Sequence, residues 1–495
     1  MLTEPTLTRA ATLTRANSKN IDLVELRVDF LQQGELSHLW KFPQMIDKPA
    51  ILTIRRVAEG GLFRGAESER RRLLDALSGG YRYVDLESDV DRSFDTRVPA
   101  GVRVIRSMHD TTGIPDQLAR LVMDLPRSAG EIAKVAVTPR SGREMVDLIE
   151  TAQRIGMPGL TTQPERIVLG MGRFGIPTRI LAAHLGNFLT FCSLEGRSAA
   201  PGHLGPGAMT NVYRFHSIKA TTRVLGVVGT PLAHSRSPQI HNLGLAAAGL
   251  DTVYVPIELD DLSEIDRLAR ALPIDGCSVT IPHKAHAACL SDASSIVQRI
   301  GACNTLVRTA NGWLGENSDV TGFLATLDEM RFRPRCATVI GAGGAARAVA
   351  FALRSRKTDL LILNRTAERA QRLARDCGAT AGSLVEEGIS KIADFNELIV
   401  QTTSVGLPDN PGDPLGSYRF SGKEVVYDIV YGESLTPILS RAQMAGCVVI
   451  DGRKMLAEQA YEQFQLFTGQ EFPESAKLKV DSSTGVDTAA ERTIR

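Results

Sequence analysis

Twice along this chain, short apolar runs rich in β-branched residues alternate with polar stretches of helical period, and this alternation limits the fold more than any single residue does. In the first series the runs are IDLVELRVDF, PAILTIR, YRYVDLE, VRVIRSMHD, AKVAVTP, RIVLGMG and FLTFCSL, the last ending near Leu194. Helix-like stretches at 68–77, 115–123 and 143–155 lie between them. Strands separated by helices pair in parallel, and near-continuous apolar runs are buried on both faces. Seven strands are visible, an eighth would close a barrel, and the only stretch available for it is residues 1–3. An open seven-stranded sheet is the alternative. Residues 201–223 are rich in Gly and Pro, carry one expected short helix at 209–217, and read as a domain end and linker. A second series opens with RVLGVVG and runs to about Gly469. The polar, aperiodic stretch 470–495 reads as a disordered tail.

Composition narrows the functions open to such a chain. Lys plus Arg (57) balances Asp plus Glu (56), for a formal charge of +1, so no broad basic field collects nucleic acid or anionic lipid. Seven cysteines without a CxxC pair or Cys/His ligand spacing read as reduced thiols, with no metal site. No apolar run reaches about 18 residues and the N-terminus lacks a signal-peptide core, so a soluble, cytoplasmic chain is expected.

Barrel enzymes hold their chemistry at the C-terminal ends of the strands, where the first series places Glu25, Arg27, Arg55, Glu87, His109 and Arg179. Lys134 differs, because it lies inside the apolar run IAKVAVTP. A lysine there either pairs with a carboxylate or has its amine depressed by burial into a nucleophile for carbonyls. Taken alone, His109 reads first as a satisfied core histidine and Glu87 as a structural ion-pair partner. Together, an imine-forming lysine, a proton-shuttling histidine and a carboxylate that orients the imidazole make a working set. The arginines suit an anionic substrate, most simply a carboxylate. With ELR at Glu25 to Arg27, TIR ending at Arg55, DLE ending at Glu87, SMHD around His109, AKVAV around Lys134 and the Pro201-Gly202 loop, the chain resembles type I 3-dehydroquinate dehydratase over about residues 15–217. The resemblance implies a (β/α)8 barrel over 1–217, with 218–223 as linker. It implies that Lys134 forms an imine with the substrate's C3 ketone. His109 would remove the C2 proton and later protonate the departing hydroxyl, with Glu87 setting its tautomer. Glu25, Arg27, Arg55 and Arg179 would contact substrate. The family's lid loop usually reads Ser-Ala-Pro-Gly-Gln. Here Ala199 and His203 stand at its substrate-binding ends, so one side-chain hydrogen bond is withdrawn and one kept.

In the second series the run at 337–340 feeds GAGGAA, a glycine turn that opens a helix, which is the setting of a dinucleotide fingerprint and also of a plain tight turn. The next strand ends in Asn364-Arg365-Thr366, where an NAD site would place an acidic residue for the ribose 2′-hydroxyl. A neutral and a basic residue leave room for a 2′-phosphate, which favours NADP. Upstream, HSRSP, SVTIPHK, GACNT and GENSD are polar clusters that read singly as N-caps or turns. In order, with TTSVG, YDIVY and DGRKMLAEQA following, they resemble shikimate dehydrogenase over about residues 224–469. That resemblance implies a substrate-binding domain at 224–334, a Rossmann NADP domain at 335–450 and a returning helix at 451–469. It assigns Ser235, Ser237, Thr280, Asn304, Tyr431 and Gln459 to shikimate, and Lys284 with Asp319 to acid–base work. Gly341, Ala342, Gly343, Gly344, Ala345, Asn364, Arg365, Thr366, Arg369, Ile429 and Gly452 would line the cofactor. Two positions depart: Ser278 where Asn is common before Val-Thr, and Ser318 where Thr commonly precedes the Asp.

The two resemblances describe consecutive steps, dehydration of 3-dehydroquinate to 3-dehydroshikimate and its NADPH-dependent reduction to shikimate. Such a chain would handle small-molecule substrates only, in a possible homodimer. A quinate/shikimate dehydrogenase fusion is the alternative enzyme. The alternative outside catalysis is a metabolite-sensing regulator, which would be expected to have lost Lys134, His109, Lys284 or Asp319.

Overall fold

In the computed structural model, which describes residues 1–155, 164–194, 204–432 and 434–484, six of the seven runs form parallel strands hydrogen-bonded in chain order. They are β1 (Val24–Arg27), β2 (Ala50–Thr53), β3 (Tyr83–Glu87), β4 (Arg103–Asp110), β5 (Ile132–Val137) and β6 (Arg166–Gly170). The seventh run, FLTFCSL, is not a regular strand. Beside it the Asn187 side chain accepts from Val168 N–H (2.8 Å) and donates to Val168 O (2.9 Å), taking the place of main-chain ladder bonds. Among the described residues, the Asn187–Arg166 bridge is what remains on that edge, and Leu2–Leu26 on the other. The Met1 nitrogen donates to Cys192 O at 3.0 Å, so the curled sheet is completed by two irregular segments. Outside the strands, the helix Gly142–Ile155 buries Met145, Val146, Leu148, Ile149, Ala152 and Ile155, a stripe with the spacing of one helix face. Each large aliphatic side chain buried there contributes about 1.5–3 kcal/mol relative to exposure.

By packing, the chain resolves into two units, Met1–Ala233 with Asp251–Ile274, and His234–Leu250 with Asp275 onward. The first unit adds the parallel pair β7 (Arg223–Gly229) and β8 (Thr252–Glu258) to the barrel. Arg267, on the helix after β8, reaches Asp147 and Glu150 of the barrel helix at 2.7 Å each, and Asp260 accepts from Gly142 N–H at 2.8 Å. The linker stretch 218–223 is held as well: Thr222 O contacts His184 Nε2 (2.8 Å) and Thr222 Oγ1 donates to Asp251 (2.7 Å).

In the second unit lie β9 (Ile274–Val279), β10 (Asp292–Ala293), β11 (Thr305–Thr309) and β12 (Gly312–Glu316), with β11 antiparallel to β9 and β12. Six further parallel strands follow: β13 (Cys336–Ile340), β14 (Asp359–Asn364), β15 (Thr380–Ser383), β16 (Leu398–Gln401), β17 (Val425–Asp428) and β18 (Val448–Ile450). Their order, β15-β14-β13-β16-β17-β18, is doubly wound, with its topological switch between β13 and β16. The stretch expected as a disordered tail is corrected up to residue 484. Glu474–Thr484 is helical, and Phe472, Ala476 and Val480 are buried at helical spacing. Phe472 packs its ring on Tyr461 and Phe464, at 4.5 and 5.1 Å between centroids. Three apolar residues among many polar ones were enough to dock this segment.

Candidate active sites

Glu25, Arg27, Arg55, His109, Lys134 and Arg179 line one cavity of the barrel, together with Glu59 and Phe191. Lys134 takes the first of the two courses open to a strand-interior lysine. Its Nζ donates to Asp85 Oδ2 at 2.8 Å and lies 4.3 Å from the centre of the Phe191 ring. Asp85 also receives Arg55 at 2.7 Å and the Ser107 hydroxyl at 2.5 Å. Burial works to raise the Asp85 carboxyl, but Arg55 and Lys134 outweigh it and hold it below the usual range. Arg27 is fixed by a two-pronged contact with Asp29, at 2.9 and 2.7 Å. Glu25 accepts from Thr53 through Oε1 (2.8 Å), while Oε2 is buried with no partner among the described residues. Arg179 is the most telling of these. It is fully buried, it donates a long hydrogen bond to Phe191 O (3.4 Å), and Nε has no partner among the described residues. Burial pushes its guanidinium down to about 10. A buried, under-satisfied guanidinium is a receptor for an anion.

Glu87 does not orient His109, contrary to the sequence reading. Its buried carboxylate is captured by three guanidinium groups, those of Arg55, Arg56 and Arg70. The partner of His109 is Glu59, whose Oε2 lies 3.0 Å from Nδ1 and accepts from the His109 backbone N–H at 2.9 Å. A carboxylate there makes Nδ1 the protonated nitrogen and leaves the Nε2 lone pair free to act as base. Burial, with the charges of Arg55 and Lys134, holds this imidazole well below its ordinary 6.5. Burial also raises the Glu59 carboxyl. Glu59→Gln is therefore expected to keep the fold and cut dehydratase turnover by about 10², the lower end for loss of acid–base function. Glu87→Gln is expected to destabilise the barrel by about 3–5 kcal/mol, because it removes the buried charge that Arg55, Arg56 and Arg70 share and leaves Arg70 only the half-exposed Glu67 as a carboxylate partner among the described residues. Only the neutral imidazole can accept a proton, so a dehydratase that uses His109 as its base is expected to have an acidic limb of kcat/KM below pH 6.5. Denaturant melts and pH–rate profiles of both variants check this. Ala199 and His203 lie outside the described residues.

A second cluster forms where helix starts and strand ends of the other unit meet. Lys284 opens the helix Lys284–Leu290 and is ion-paired with Asp319, the first residue of the helix Asp319–Glu329. Asn304 Nδ2 donates to Asp319 Oδ1 at 2.9 Å and reaches Gln459 Oε1 at 3.4 Å. Ser235, Ser237 and Thr280 are half-buried and, among the described residues, hydrogen-bond to none of these four. Tyr431 faces the backbone of Arg236, and burial raises its phenol. Beyond β13, Gly341 has φ +117°, and a Cβ on it would come 2.5 Å from Thr402 Oγ1. Only glycine suits that turn. Ala342 and Gly343 follow, and Gly344 and Ala345 open the helix Gly344–Ser355. A Cβ on Gly344 would meet the Lys284 side chain at 2.8 Å, so the glycine turn lies directly against the ion pair. Asn364 ends β14, and Arg365, Thr366 and Arg369 beyond it are exposed. Gly452 packs against the carbonyl of Ile429, after β17.

The type I 3-dehydroquinase family model matches residues 1–220. The shikimate dehydrogenase substrate binding domain matches 227–306, shikimate / quinate 5-dehydrogenase 325–407, and the shikimate 5'-dehydrogenase C-terminal domain 452–476. Over 496 aligned residues the chain is 31% identical to the bifunctional 3-dehydroquinate dehydratase/shikimate dehydrogenase, chloroplastic, of Arabidopsis thaliana, covering 94% of this chain and 81% of that one. The chain belongs to this bifunctional family. The dehydrogenase half is 39% identical to the shikimate dehydrogenase (NADP(+)) of Anaeromyxobacter sp. (strain K), over 52% of this chain and 95% of that one. A solved structure of the dehydroquinate dehydratase and shikimate dehydrogenase from S. pombe AroM aligns over 97% of each chain, at 23% identity and a TM-score of 0.41. As a member of the family the protein is both a lyase and an oxidoreductase of the shikimate pathway, and the regulator reading falls away. Among the described residues, no helix is long and apolar enough to cross a membrane.

Proposed function

We propose that the barrel cavity dehydrates 3-dehydroquinate through an imine on Lys134 and that the Lys284–Asp319 cluster reduces the product with NADPH. The observation that carries the first half is a shared cavity holding Lys134, His109 and a buried Arg179 that lacks an anionic partner among the described residues. Arg179 receives the substrate carboxylate. Lys134 Nζ passes its ammonium proton to the neutral His109 Nε2 and adds to the C3 ketone; His109 returns that proton as the ketone oxygen leaves as water, giving an iminium that acidifies the C2 proton. His109 Nε2 takes that proton, and the enamine electrons then expel the hydroxyl, which His109 protonates as it departs. Hydrolysis of the conjugated iminium frees 3-dehydroshikimate and restores the amine.

In the second site Lys284 gives a proton to the carbonyl oxygen as it becomes an alkoxide, and Asp319 holds the lysine charge in place until then. Asn304 and Gln459 fix the substrate beside them. The glycine turn from Gly341 to Ala345 fits a dinucleotide: it is too close to Thr402 for any side chain at 341, and it presents a helix start to a pyrophosphate. NADPH supplies the hydride when bound. Arg365 and Arg369 are exposed at the end of β14 and pair with no carboxylate among the described residues, which leaves them available to a 2′-phosphate. Arg365→Ala should raise the KM for NADPH by about tenfold, roughly one charged hydrogen-bonded contact, and leave the KM for NADH nearly unchanged. Initial rates with both cofactors test this, and an enzyme that uses the two equally well before substitution would contradict it.

A further inference from the structure

The Lys284–Asp319 pair stands at the end of a run of buried hydrogen bonds whose direction is fixed by the backbone. Ser278 at the end of β9, Asn304, Thr305 at the start of β11, Asp319 and Gln463 are all buried. Gln463 lies one turn beyond Gln459 on the helix Arg453–Thr468. One end of its amide sits 3.1 Å from the carbonyl oxygen of Asn304, an atom that can only accept, so that end is Nε2. Oε1 therefore faces Ser278, whose hydroxyl donates to it at 2.7 Å. Nε2 also donates to Thr305 Oγ1 at 3.0 Å. With a lone pair so engaged, the Thr305 hydroxyl turns its proton to Asn304 Oδ1 at 2.8 Å. A second backbone group sets the Asn304 amide independently: Ser318 N–H, which can only donate, lies 2.8 Å from the same Oδ1. Nδ2 is thus the end that meets Asp319 Oδ1, and Oδ2 is left for Lys284.

We propose that Gln463 and Thr305 are positioning residues for the reduction, acting with the Ser318 N–H to hold the Asn304 amide firmly enough that it donates to Asp319. The inference rests on the reading of Lys284 and Asp319 as the acid–base pair. Each link in the sequence Ser278, Gln463, Thr305, Asn304, Asp319 passes a proton donor toward the carboxylate, and coherent buried chains of this kind strengthen one another. A flip of the Asn304 amide would set Oδ1 against Asp319 Oδ1, two acceptors facing each other, and would release the carboxylate from its orientation toward Lys284. The relay also gives Ser278 a role in this chain, since its hydroxyl fixes the far end of Gln463.

Thr305→Val keeps the shape and removes the hydroxyl, and Gln463→Met keeps the length and removes the amide. Each should lower dehydrogenase kcat by about tenfold or more, with the KM for NADPH unchanged within about twofold. Thr305→Ser, which restores the hydroxyl, should restore kcat. Dehydratase turnover, measured on the same purified chain, should be unchanged in all three and serves as the check on folding. Wild-type dehydrogenase kcat in both Thr305→Val and Gln463→Met would overturn the proposal, as would a Thr305→Ser variant as impaired as Thr305→Val. Full turnover in Asp319→Asn would instead remove the acid–base reading beneath it.

Discussion

Lys134→Ala is expected to abolish dehydratase turnover, by at least about 10⁴, while leaving the dehydrogenase of the same chain intact. Without the imine the C2 carbanion loses its electron sink. The alanine also removes the cation between Asp85 and the Phe191 ring, so Asp85 keeps Arg55 as its remaining strong partner. In the unsubstituted protein, borohydride added with 3-dehydroquinate should leave a covalent adduct on the Lys134 peptide, read by mass spectrometry. Loss of activity without any adduct, or an adduct on another lysine, would refute the assignment.

Lys284→Ala and Asp319→Asn should each lower dehydrogenase turnover by roughly 10²–10⁴, the range for a lost general acid–base group. The two effects should be far from additive, because the residues act as one ion-paired unit. NADPH affinity should change little, since neither side chain belongs to the glycine turn, although Lys284 packs on Gly344. Fluorescence titration with NADPH separates the two quantities. A large loss of affinity with unchanged turnover would place the pair at the cofactor instead of at the carbonyl.

What could be read from the sequence follows from how local each signal is. The strands β1 to β6, β13 and β14 are legible because strands buried on both faces need unbroken apolar runs, and Lys134 stands out as a charge within one. The run FLTFCSL has the same composition but loses its ladder to the Asn187 side chain, a competition that hydropathy does not register. Glu59 carries no sequence signal for a similar reason. It sits in a single 3-10 turn, Val57–Glu59, four positions past Arg55, and only the tertiary fold carries it to a histidine 50 residues away. Glu87 looked better because it ends a strand beside that of His109, yet three arginines from elsewhere claim it. The Gln463 contact spans 159 residues, so no spacing rule reaches it. The one local hint was Ser278, a departure from the usual residue, which turns out to bond Gln463.

If two separate sites on one chain carry out the consecutive reactions, substitutions in each site must partition the intermediate between them. Each variant is supplied with 3-dehydroquinate and NADPH, and 3-dehydroshikimate and NADPH oxidation are followed together. Lys134→Ala should oxidise no NADPH until 3-dehydroshikimate is added, and then do so at the unsubstituted rate. Asp319→Asn should accumulate 3-dehydroshikimate at the unsubstituted dehydratase rate with almost no NADPH oxidised, and mixing the two variants should restore shikimate formation. NADPH oxidation from 3-dehydroquinate by Lys134→Ala alone, or failure of the mixture, would contradict the assignment of one reaction to each site.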